Sequence, residues 1–70
     1  MKVSTLIHNH FTVQALRKAV KAIAIYNEDG SEVLELTTVL THESLDHLSS
    51  SNKRVVDWNM TSTTFYIYVR

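Results

Sequence analysis

Two stretches of this chain open a helix in the same way. Phe11-Thr12-Val13-Gln14-Ala15-Leu16 and Leu40-Thr41-His42-Glu43-Ser44-Leu45 both read apolar, Thr, three residues, Leu, and their threonines stand 29 residues apart. A Thr at the N-cap accepts a hydrogen bond from a free N–H of the first turn. The apolar residue before it packs on the fourth helical position and fixes how the chain comes into the helix. Each start follows a strand-like run and leads toward another, so the repeat predicts two β-α-β halves. It predicts a fold and no reaction.

The rest of the chain fills in around those starts. Residues 2–8 alternate loosely and carry Val, Thr and Ile, which reads as a first strand. Residues 12–21 read as a helix, with Val13, Leu16, Val20 and Ile23 on one stripe and Arg17, Lys18 and Lys21 off it near the C-terminal end. A strand is expected at about 22–27, then a turn at Asn27-Glu28-Asp29-Gly30-Ser31, where Asp-Gly suits a tight hairpin. The return strand, 32–39, places Leu34, Leu36 and Leu40 on one side and Val33, Glu35, Thr37 and Val39 on the other. Thr41 caps a short helix through about Leu48, with Leu45 and Leu48 inward, and Ser49-Ser50-Ser51-Asn52 ends it. Residues 53–59 and 63–69 are the last two strands.

The expected order is β-α-β-β-α-β-β, an α+β fold. Its first six elements match the ferredoxin-like β-α-β-β-α-β arrangement, a small antiparallel sheet with two helices on one face, and the extra C-terminal strand extends the sheet. The alternative is a plain α+β fold in which residues 2–8 are outside the sheet.

Seventy residues, with one Gly and no Pro, make a single domain spanning 1–70. A chain of this size buries only about 60% of its unfolded surface, so it needs support from disulfides, metal or self-association. It has no Cys, which removes disulfides and thiolate metal sites and fits a reducing, cytoplasmic setting. Lys+Arg and Asp+Glu both number 7. That balance argues against duplex DNA or an anionic membrane as partner. No apolar run approaches the ~20 residues that span a bilayer.

The residues suited to chemistry do not converge into a motif. His8-Asn9-His10 lies where a strand is expected to meet a helix. His42-Glu43-Ser44-Leu45-Asp46-His47 resembles a zinc-protease helix with one residue too many, so its two histidines sit about 140° apart around the helix. A metal site would need all four histidines at one sheet edge. No Ser sits in a Gly-flanked elbow, and one Gly cannot build a phosphate-cradling loop. The chain therefore reads as no enzyme, with no cofactor and no catalytic or metal-ligating residue assigned.

What remains is a surface. In Thr63–Arg70, Phe65, Ile67 and Val69 point one way, Tyr66 and Tyr68 the other. With Val56, Trp58 and Met60 inward, the outer sheet face would carry Tyr26, Val33, Val55, Tyr66 and Tyr68, joined by Val39 and Leu6. Such a patch is larger than monomers usually expose. The leading expectation is a small protein-binding module: a homodimer, or a regulator, accessory subunit or inhibitor of another protein, the kind of product viruses and mobile elements often encode. Single-stranded RNA binding through Tyr66 and Tyr68 is the alternative, weakened by neutral charge and the lack of a sheet-face RNA signature. A His-based metal site is the second alternative.

Overall fold

Strands rich in Ile, Tyr and Phe, alternating buried and half-buried, form the centre of the molecule. The computed structural model describes residues 1–11 and 20–70. Its elements are α1 (Val3–Phe11), β1 (Ala22–Asn27), β2 (Val33–Thr37), α2 (His42–Asp46), β3 (Val55–Met60) and β4 (Thr64–Val69). They form a small α+β fold in which one four-stranded mixed sheet, in the order β2-β1-β4-β3, backs two helices. β1 and β4 run parallel in the middle, Ile23 beside Phe65 and Ile25 beside Ile67. β2 and β3 flank them as antiparallel hairpin partners.

This differs from the ferredoxin-like expectation in two ways. The central pair is parallel, and the first element is a helix. Residues 3–11 are helical because Val3, Leu6, Ile7 and His10 recur at the spacing of one helix face. Val3, Leu6 and Ile7 are buried in the core. Only Lys2 retains strand character, through an isolated antiparallel bridge to Arg54. Among the described residues no side chain caps the first N–H groups of this helix. Instead Val3 N donates to the Lys53 carbonyl and Ser4 N to the Ser51 carbonyl, both 3.0 Å. Two orphan donors of the first turn are thus satisfied by the segment that follows α2.

The cap at Thr41 is present. Its Oγ1 accepts from Ser44 N at 3.2 Å, and its backbone is extended (φ −86°, ψ 158°). Leu45 and Leu48 are buried, and Leu40 packs against the same core. Residues 12–19 of the expected helix, with its cap Thr12 and Val13, Leu16, Arg17 and Lys18, lie outside the described residues. Within that expected helix, Val20 is buried and Lys21 already donates to the Thr63 carbonyl beside the start of β1.

The core lies between the helices and one sheet face: Val3, Leu6 and Ile7 from α1, Leu45 and Leu48, and Ile23, Ile25, Phe65, Ile67 and Val69 from the central strands. Deleting a buried Leu side chain destabilises by about 2–5 kcal/mol, whereas an exposed surface change stays within about 0.5. Leu6→Ala should therefore lower unfolding free energy by that larger amount and Thr5→Ala, one residue away and exposed, by very little. Urea titration of both variants checks the helical phase; equal effects would contradict it.

β4 is central and carries three buried core residues, so the sheet cannot close without it. Removing residues 64–70 should give an unfolded or insoluble product. A truncated chain that melts cooperatively at the parent temperature would contradict this.

Candidate functional site

Period-two alternation decides which side chains face away from the helices. From β1 these are Ala24 and Tyr26, in register with Tyr66 and Tyr68 of β4. Across the hairpins, Leu36 pairs with Ala24, Val33 with Tyr26, Asp57 with Tyr68 and Asn59 with Tyr66. The three tyrosines form a ladder. Tyr26 stacks on Tyr68 with ring centres 5.6 Å apart, and lies 6.2 Å from Tyr66. Each ring is half-buried, largely by its neighbours. Leu36 and Val33 beside them are 64% and 53% exposed. The open face thus grades from bare apolar side chains on β2, through stacked tyrosines, to Asp57 and Asn59 on β3.

The hairpin turn holds one end of this ladder. Gly30 N donates to the Asn27 carbonyl, and Ser31 N to Asp29 Oδ1. Among the described residues Gly30 alone takes a positive φ, +77°, and a Cβ there would lie 3.3 Å from Tyr68 Cε1. The left-handed conformation favours glycine, and a Cβ would ask the Tyr68 ring to give by a few tenths of an ångström. Hydrogen bonding to Ser31 holds the Asp29 carboxyl below its usual range. Glu28 is lowered too, by hydrogen bonding and charge from Arg70, with which it forms an ion pair. These groups, with Leu34, Lys53 and Val69, line an open cleft of about 490 Å³ at the ends of β1 and β4.

Four residues expected on the open face are there together: Tyr26, Val33, Tyr66 and Tyr68. Val55 is not. It pairs with Val69 on the helix side and packs against the core. A bulge between Val55 and Asp57 inserts a residue, so Val55 and Trp58, three apart, share one face. Leu6 belongs to the core of α1, and Val39 lies exposed beyond the end of β2. Leu36 also changes side. A bulge between Ile25 and Tyr26 in the β1–β2 pairing puts it outward with Val33 and turns Glu35 toward the helices. There the Glu35 carboxylate accepts from Ser49 N and Ser50 N, at 3.1 and 3.0 Å. The two amides after α2 explain an acidic residue set between two leucines.

Of the histidines, His10 takes a structural place. His10 Nδ1 donates to the Leu6 carbonyl at 3.1 Å, and its ring lies edge-on to Trp58 at 4.6 Å and tilted to Phe65 at 5.5 Å. His8 is exposed on the same helix and His47 ends α2. The side chain of His42 lies outside the described residues. Among the described residues no three His, Cys, Asp or Glu side chains converge on a point that could hold a metal ion, and no helix is long and apolar enough to cross a membrane. No protein family, curated protein or solved structure matches this chain.

Any side chain at residue 30 must adopt a left-handed backbone and displace the Tyr68 ring. Gly30→Ala should destabilise the fold by about 1–2 kcal/mol and alter the near-ultraviolet circular dichroism of the tyrosines. A variant with parent stability and an unchanged spectrum would uncouple the turn from the ladder.

Proposed function

We propose that this chain is a non-enzymatic protein-binding module, a regulator, accessory subunit or inhibitor, that uses the open sheet face. The observation that carries this reading is the gathering of Tyr26, Tyr66 and Tyr68 with the bare Val33 and Leu36 on the face opposite both helices. Tyrosines ordered by one another lose little conformational freedom when covered, and Tyr is prominent among residues that dominate protein interfaces. An apolar stripe beside them supplies area that water disfavours.

The same rings are poor platforms for RNA bases. Tyr26 and Tyr68 already stack on each other, and the turn at Gly30 closes on Tyr68. Base stacking needs free ring faces, together with cations that track the phosphates. The outer positions of β3 instead carry Asp57 and Asn59.

Static light scattering across concentration, with capture of partners from extract, tests the reading on the parent and on Tyr66→Ser plus Tyr68→Ser. The double variant should lose association, and the parent's association should change little with salt, because apolar contact is weakly screened while phosphate contact is strongly salt-dependent. A folded parent that stays monomeric at high micromolar concentration and recovers no partner would remove the case. Steep loss of binding with salt would turn it toward nucleic acid.

A further inference from the structure

The two edges of the sheet are finished differently. On β3 the outer donors are engaged. Val55 N donates to the Met1 carbonyl at 2.8 Å, Lys2 bridges Arg54, and Trp58 N is closed by the carboxylate of its neighbour Asp57 at 2.8 Å. The backbone of residues 1 and 2 and the Asp57 carboxylate thus guard this edge against added strands. β2 has a bulge as well, and Thr37 Oγ1 accepts from Val39 N just past its end at 3.2 Å, but among the described residues no other segment pairs with its outer side. The one charged side chain of that strand, Glu35, is folded inward onto Ser49 N and Ser50 N. Apart from Thr38, the exposed side chains along this edge are apolar: Leu36 at 64%, Val39 at 58%, Val33 at 53% and Leu34 at 39%.

We infer that β2 pairs antiparallel with β2 of a second copy, about a two-fold axis at Leu36, to make one continuous eight-stranded sheet. This rests on the binding reading above and names its occupant. The register is chosen by the side chains. An axis at Glu35 would set two carboxylates opposite each other, which is destabilising. An axis at Leu36 sets Leu36 against Leu36 and Glu35 against Thr37, and brings Val33 of one copy toward Val39 of the other. Three of the most exposed apolar side chains among the described residues are thereby gathered over one seam. A two-fold also keeps like faces together, so the tyrosine ladders of both copies continue the same surface. Zero formal net charge leaves little repulsion to oppose the pairing.

The absence of native cysteine allows a direct test. A residue paired with itself across an antiparallel two-fold has its Cα atoms about 4.5–5.5 Å apart, within the range a disulfide bridges. The purified full chain is taken as Leu36→Cys and as Asn59→Cys, both exposed outer-face positions on opposite edges. In a glutathione buffer Leu36→Cys should form a covalent dimer several times faster than Asn59→Cys. Leu36→Lys should weaken parent-type association at least tenfold while circular dichroism stays that of the parent. Equal crosslinking at both sites, or none at Leu36→Cys in a folded protein, overturns the inference. If association persists in Leu36→Lys but is lost in Tyr66→Ser plus Tyr68→Ser, the edge pairing fails and the face reading stands. If the parent neither associates nor recovers a partner, both fail. An added strand peptide that binds while the chain stays monomeric would replace the second copy with a foreign strand.

Discussion

The parallel pairing of β1 with β4 is the contact on which the rest depends. It joins segments about forty residues apart and sets Ile23 and Ile25 against Phe65 and Ile67, all fully buried. A parallel pair cannot be closed by a tight turn and needs a crossover between its strands. Here the crossover holds β2, α2 and β3, so nearly everything else hangs from this one alignment. Each outer strand then needs only a local hairpin. Thr61 closes the second of these, its Oγ1 accepting from Thr64 N at 3.0 Å. Because the pairing is non-local, closure entropy is spent before the core rewards it, and folding should be slow for a chain of this size.

Much of the sheet was legible in the sequence. β1 falls at its expected residues, and alternation along Phe65–Val69 sorts core from open face correctly. Those segments are strongly periodic and free of irregularity. The first helix was not read because Val, Ser, Thr and Ile suit a strand locally. Its signal is the recurrence of Val3, Leu6, Ile7 and His10, which is helical, against a composition that is not. Burial of that stripe overrides propensity once the Lys53 and Ser51 carbonyls take the first amides. Neither partner is visible from residues 2–8 alone.

The misplacements of Val55 and Leu36 have one cause. A bulge adds a residue without changing composition, and every residue beyond it changes side. Val55 moved to the core and Leu36 moved to the open face for this reason, one bulge in each outer strand. The central strands, pinned on both sides, pair with each other without such shifts. Sequence reading was therefore sound in the middle of the sheet and weakest at its edges.

The two bulges also have unequal consequences. On β3 the bulge accompanies Asp57, whose carboxylate is drawn onto the backbone and closes an outer amide. Polarity there faces outward. On β2 the charge faces inward: Glu35 fastens the edge strand to the loop after α2, across the rim of the core. Charge-assisted bonds to two successive amides are strong for their size, and they hold Glu35 in place while leaving the leucines on either side outside. The same contact thus stabilises the fold and removes charge from one edge. That coupling is why the apolar edge at β2 is not simply an unfinished surface. A neutral residue at position 35 would loosen the loop, and an outward carboxylate would guard the edge. The chain does neither, and the polar device that would isolate β2 is used instead to build the domain.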